Sequence, residues 1–396
     1  MLLRKMAATA WLVKKLYVGL FIVGSTMGDH SLLHLSDAQA QSSEAQNSEA
    51  QGSVVQGWYE RTENVMGTRA SIRFYLPSAE GTSNEYSNNE QEANSAVDSS
   101  AVNSRASTTD ETNQHKATAL LKAGFAEFER INQLWSPYIE SSELSRINEA
   151  RPGPAIPITK ESFALLSDAQ AYSTATKGAF DITIYTLSQH FDYSKQRKPN
   201  QSERARASRS MGSDFFKLDD TNGFTLTKKR SLKIDLGGIA KGYAVDQVIR
   251  ILSQAGVTQA LVSAGGDSRA LGDNLGKGWW VGIKKPRGKG IALRFPVADS
   301  AFSTSGDYER YYIDPQTGAH IHHIIDPKSG ASASSVTSST VLGPQGKDTD
   351  ALSTSIFVLG VKKGLSLIES MPGFEAIMID AFGVVHYSSG LAPPAP

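Results

Sequence analysis

Three stretches carry most of the information in this chain: AFSTSGDYERYY at 301–312, HIHHIIDPKSG at 320–330 and DTDALSTSIFVLG at 348–360. They concentrate hydroxyls, adjacent histidines and aspartates, and little in them reads as core filler. Asp350 and Thr354 lie four residues apart, and on a helix such positions share a face. Near a helix start, that pair offers hard oxygen ligands to Mg2+. The plain alternative is a capping carboxylate and a solvated threonine. His322, His323 and Asp326 suggest a transition-metal set, but neighbours on a strand point to opposite faces. Acid–base work or phosphate orientation by one histidine fits better, and a surface histidine is the bland reading. Asp326 before Pro327 closes a turn. SGDYERYY reads either as a glycine turn into a sheet strand or as a ligand-facing loop.

Upstream, KIDLGGIAKGYAVD at 233–246 predicts a strand ending in Asp235, a turn at Gly237-Gly238 and a helix over 241–255. Glycines let main-chain groups approach a phosphate closely. The pattern is neither GxGxxG nor a Walker loop, so it does not point to a Rossmann or kinase-type site. A tight strand–helix turn is the alternative.

Together with NVMGT at 64–68, SELSRIN at 142–148 and GAFDIT at 178–183, these motifs resemble the FAD:protein FMN transferases, the ApbE family, over roughly Trp58 to Ser388. The resemblance implies Mg2+ held by Asp350, Thr354 and the Gly238 carbonyl, with FAD as substrate. It places Asp235 and Lys241 against the flavin nucleotide, and Ser305 and Asp307 beside the pyrophosphate. Met66 would lie on the isoalloxazine ring, and Tyr138, with Trp135 nearby, would supply an aromatic face. Ala179, Phe180 and Asp181 would contact the adenosine side, and Ile325 the cofactor. His323 is the expected proton acceptor, oriented by Asp326 or Asp307. The implied reaction joins FMN to a Thr or Ser hydroxyl of an acceptor protein and releases AMP. The acceptor class is a subunit of a membrane-bound flavin electron-transfer complex. The rival readings are an Mg2+-dependent FAD pyrophosphatase, a non-catalytic periplasmic FAD-binding protein, and a sugar- or peptide-binding protein.

The chain has 396 residues, with 40 basic and 40 acidic side chains and no cysteine. Charge balance gives no pull toward nucleic acid. Lack of cysteine excludes disulfides, thiolate metal sites, a cysteine nucleophile and a lipid-modified N-terminal cysteine. Arg4, Lys5, Lys14 and Lys15 precede an apolar run, Leu16 to Met27, and Ala38-Gln39-Ala40 supplies small residues for cleavage. This is the pattern of a signal peptide over 1–40, with an uncleaved anchor as the alternative. The run is short against the ~20 residues of a membrane span. Export to the periplasm is expected, without the twin-arginine route.

Residues 41–53 read as a disordered linker and 392–396 as a tail. The domain spans 54–391, as a monomer or homodimer, with a low-complexity insertion at 78–116. A hairpin over 54–76 is followed by helices over 117–134, 142–148 and 159–176. Residues 192–212 read as a basic loop. Strands are expected at 260–263, 279–283, 292–295, 376–380 and 384–387, and a helix over 349–360. Helices and strands mix without βαβ alternation, which predicts an α+β fold of mixed, largely antiparallel sheets flanked by helices, ApbE-like.

Overall fold

The computed structural model describes residues 53–55, 57–77 and 99–391. The expected leader, nearly all of the linker, residues 78–98 of the insertion and the tail lie outside the described residues. In chain order the elements begin with β1 (Ser53–Val55), β2 (Trp58–Val65), β3 (Thr68–Tyr75), α1 (Ser99–Trp135), α2 (Glu143–Glu149), β4 (Ala155–Pro157), α3 (Lys160–Ala175), α4 (Tyr185–Ser188) and α5 (Gln201–Ser208). Next come β5 (Phe216–Asp219), β6 (Thr225–Lys228), α6 (Ala240–Gln254), β7 (Ala260–Ala264), β8 (Asp267–Leu271), β9 (Trp279–Lys284), β10 (Ile291–Val297) and β11 (Ala301–Gly306). The chain closes through β12 (Tyr311–Ile313), β13 (His320–His322), β14 (Val336–Gly343), α7 (Gly346–Leu359), α8 (Val361–Glu369), β15 (Glu375–Asp380) and β16 (Val385–Tyr387). Among the described residues no helix is long and apolar enough to cross a membrane.

The fold is α+β. Nine strands form one sheet in the order β1-β2-β3-β7-β8-β11-β14-β15-β16, and every neighbouring pair is antiparallel. Successive side chains on a strand face opposite ways, and β15 shows the consequence. Ala376 and Met378 join the core under the helices, whereas Ile377 and Ile379 join the core under the β9–β10 hairpin. The helical side is filled by Phe125, Phe128 and Ile131 of α1, Val245, Val248 and Leu252 of α6, and Leu352, Ile356 and Phe357 of α7. Each such side chain, fully buried, is worth about 1.5–3 kcal/mol. β4, β6 and β5 make a separate small sheet, and β12 pairs with β13 alone.

Four local expectations change. The first helix begins at Ser99, not at 117, so the end of the expected insertion is helical; residues 111–116 are mostly exposed and therefore carry no apolar stripe. The expected basic loop contains α5, started by a capping box. Asn200 accepts the Glu203 N–H at 2.9 Å and Glu203 accepts the Asn200 N–H at 2.8 Å, a reciprocal pairing that satisfies two helix-end donors. Residues 232–236 form no strand. Instead the Asn148 side chain takes the place of a neighbouring strand, accepting from Ile234 N at 2.7 Å and donating to Ile234 O at 2.9 Å. Finally, β4, β5, β6, β8, β11 and β14 lie where no strand is expected; β14 is VTSSTVLG, buried along its whole length.

The approach of α6 to α7 sets the site. A Cβ added to Gly242 would lie 2.1 Å from the Gly346 carbonyl oxygen, and one added to Gly346 would lie 2.6 Å from that of Gly242. Backbone has nowhere to yield here. Gly242→Ala is expected to lower the unfolding free energy by about 3 kcal/mol through overpacking; an unchanged urea midpoint would show that the helices part freely.

Candidate functional site

α6 starts directly after the Gly237-Gly238 turn, and its first residues face α7. The Lys241 ammonium lies 2.7 Å from the Gly237 carbonyl oxygen, 3.0 Å from Asp267 and 3.4 Å from Asp350. Asp350 also accepts the Gly242 N–H at 3.1 Å. Two buried carboxylates thus share one ammonium. Burial, followed by the charge of Asp267, raises the pKa of Asp350; Lys241 and the Gly242 amide only partly offset this. Burial opposes the charge on Lys241, but Asp267 and Asp350 outweigh it and hold its pKa above the ordinary lysine value.

One helical turn after Asp350, the Thr354 hydroxyl lies 3.2 Å from that of Ser305, which also meets Ser353 at 2.9 Å. Gly238 backs onto the same place, since a Cβ there would sit 3.6 Å from the Thr354 hydroxyl and 3.3 Å from the Phe180 ring. The structure therefore brings together Gly238, Lys241, Ser305, Asp350 and Thr354. Asp267 joins them unannounced, although the double glycine before it, forming the tight β7–β8 turn, was its signal. Two carboxylates, a hydroxyl and a carbonyl make an all-oxygen donor set with net negative charge, which fits a hard divalent cation.

His322 ends β13, and His323, just past it, diverges from it. His322 is buried and donates from Nε2 to the Ala333 carbonyl at 2.7 Å. His323 is exposed, and its N–H donates to the Arg310 carbonyl at 3.1 Å, extending the β12–β13 ladder. The His323 pKa is lowered to about 4, first by desolvation against the surrounding walls, then by His322, Arg310 and Lys241. The imidazole is therefore neutral at pH 7. Among the described residues no hydrogen bond joins His323 to Asp307 or Asp326. Asp307 is held by Arg287 at 2.7 Å, and Asp326 accepts the Lys328 N–H at 2.9 Å within the DPKSG turn.

The remaining expected contacts are spread around this centre. Asp235 accepts the Gly237 N–H at 2.8 Å, and burial raises its pKa against that bond, Lys241 and Arg310. Ala179 and Phe180 are buried wall residues. Asp181 caps the next turn, accepting from the Thr183 N–H at 2.8 Å and its hydroxyl at 2.7 Å. Ile325 packs with Leu187, Ala207 and Met211. Tyr138 is 78% exposed, whereas Trp135 is core, bonded through its indole to Ser162 at 2.8 Å.

Met66 and Gly67 form the two-residue β2–β3 turn with φ of 54° and 68°. Methionine is strained in this left-handed region, and such strain gathers at ligand clamps. The same turn faces Arg310, which lies in none of the expected contacts. A Cβ on Gly67 would lie 3.8 Å from an Arg310 guanidinium nitrogen, and that exposed cation also acts on Asp235 and His323.

A model of the ApbE family matches residues 66–378. A Haemophilus influenzae protein named FAD:protein FMN transferase is 32% identical over 276 residues, covering 66% of this chain and 77% of the relative. A Treponema pallidum protein of the same name is 29% identical over 292 residues, 69% and 80% of the two chains. Among solved structures, the Thermotoga maritima ApbE protein matches with a TM-score of 0.68 at 29% identity, covering 84% of this chain and 97% of that one. The apo flavinyl transferase ApbE of Pseudomonas stutzeri matches with a TM-score of 0.66 at 25% identity, covering 87% and 97%.

The shared ammonium gives a test that needs no assay of activity. Lys241→Met leaves Asp267 and Asp350 facing each other and should cost about 3 kcal/mol of stability. Excess Mg2+ should then raise the melting temperature of the variant more than that of the wild type, because the ion binds only the folded chain. Equal responses would mean that the cluster takes no cation.

Proposed function

The chain belongs to the ApbE family, and on that premise we propose that it is an FAD:protein FMN transferase, moving the FMN half of FAD to a Thr or Ser hydroxyl of another protein. The observation that carries this reading is the convergence of Lys241, Asp267, Asp350, Thr354 and Gly238 on one spot in a chain whose relatives bear that name. Asp350, Thr354 and the Gly238 carbonyl would hold Mg2+, with Asp267 as a further carboxylate. When bound, the ion supplies charge neutralisation at the pyrophosphate.

The chain's own groups do the rest. Lys241 and Arg310 bring positive charge to the pyrophosphate. His323, neutral at pH 7, accepts the proton of the attacking hydroxyl at a ring nitrogen. The hydroxyl oxygen bonds to the FMN-side phosphorus, the bond from that phosphorus to the bridging oxygen breaks, and AMP leaves with that oxygen. Tyr138, with its open face, and Met66, held out by its strained turn, suit a flat ring system. The leader pattern supports export to the periplasm, and subunits of membrane-bound electron-transfer complexes suit as acceptors. A phosphoester link there would keep a flavin from being lost.

The test is incubation with FAD, Mg2+ and a candidate acceptor, followed by the intact mass of the acceptor. FAD should donate and FMN should not, since FMN has no pyrophosphate bond to break. Asp350→Ala should lower transfer by at least about 100-fold while weakening FAD binding far less. Release of free FMN with every acceptor tried would assign hydrolysis instead.

The pH profile addresses His323 separately. A base is lost when protonated, so a lowered pKa moves the acid limb down. Transfer should hold from neutral pH through 6.5 and fall only as pH nears 4. His323→Ala should remove that limb and most of the rate. An acid limb unchanged in His323→Ala would assign the base elsewhere.

A further inference from the structure

The geometry points to a second cation site, sharing no ligand with the Asp267–Asp350 cluster, in which His320, His322 and Asp307 bind a transition ion such as Zn2+. One ligand atom from each lies within 4.8 Å of the others. His320 and His322 are two apart on β13 and share a face, the relation that the adjacent pair His322–His323 lacks. Asp307 follows directly on β11 and is buried.

The rings are set as ligands are. His322 gives its Nε2–H to the Ala333 carbonyl, while its Nδ1 meets only the Ile324 N–H at a long 3.3 Å. Metal-bound imidazoles are commonly oriented by such a carbonyl on the other nitrogen. His320 Nδ1 is buried with no hydrogen-bond partner and lies 3.8 Å from an Asp307 carboxylate oxygen. That gap is too long for a hydrogen bond, but two metal bonds of ~2.0–2.2 Å to one ion span it. Stacking on Tyr311, with ring centroids 4.4 Å apart, holds the His320 ring.

Arg287 balances Asp307, bonding both carboxylate oxygens. It comes from the loop between β9 and β10, and its side chain is 53% exposed. It is free to swing into solvent once a divalent ion supplies the charge. Two imidazoles and one carboxylate favour Zn2+ and its neighbours over Mg2+, whereas the all-oxygen cluster favours Mg2+. Filled, the site would tie β13 to the end of β11 beside His323, leaving a coordination position for water.

The experiment is a titration of the full chain with Co2+ in saturating Mg2+, read by visible d–d absorption and by displacement with Zn2+. One equivalent should bind. His320→Asn should weaken it by at least about tenfold, since even outer-shell changes cost that much. Arg287→Gln should tighten it by removing the competitor, and Asp350→Asn should leave it unchanged. Lack of binding in both wild type and Arg287→Gln, indifference to His320→Asn, or loss with Asp350→Asn would each overturn the site.

Discussion

Two glycines, Gly242 and Gly346, let α6 and α7 touch backbone to backbone, and the charged groups are arranged around that contact. α7 receives no side-chain cap from its own flanking residue. Asp246 of α6 supplies one across the crossing, accepting the Gly346 N–H at 2.8 Å and the Lys347 N–H at 3.0 Å. A carboxylate at a helix N-terminus meets both the unsatisfied amides and the positive end of the dipole. Burial raises the pKa of Asp246, but Arg269 and the two amides hold against it. With the start of α7 fixed in this way, Asp350 comes to face Lys241, and Thr354, one turn on, comes to face Gly238 and Ser305.

That arrangement concentrates more negative than positive charge around two buried carboxylates. One lysine serves two aspartates, and an isolated carboxylate is costly to bury. Packing alone gives no reason for such a cluster, and a cation would offset its surplus charge. The opposite sign gathers nearby, where Arg310 stands without an ion pair among the described residues, beside the strained Met66 turn.

The sequence was most legible where composition and chemistry agree. α1 from 117, α3 with its Thr159 cap, α6 and the hairpin β2–β3 follow from apolar period and capping residues. β14 was opaque for a physical reason: its Thr337, Ser338, Ser339 and Thr340 are all buried, and a run of hydroxyls mimics a loop. Segment 232–236 has a strand-like apolar run but forms no strand, because the Asn148 side chain pairs with the Ile234 main-chain N–H and C=O. The Asn200…Glu203 box marks the start of α5 inside a segment whose basic, serine-rich composition resembles a loop. Of the site, Asp350, Thr354, Gly238 and Lys241 were readable as motif positions. The double glycine marks the turn before Asp267 but not its partner Lys241, and Arg310 meets the Met66-Gly67 turn only through the fold.

The contacts that build the site join residues far apart in the chain. Asn148 reaches over 86 residues to Ile234, Lys241 over 109 to Asp350, and Lys347 back over 179 to Asp168. Loops of that size are slow to close, and chains dominated by such pairings fold slowly. The Lys241–Asp350 contact therefore forms only once these two distant segments have docked. A nucleotide bound there adds to the stability of the finished fold and cannot template the early one.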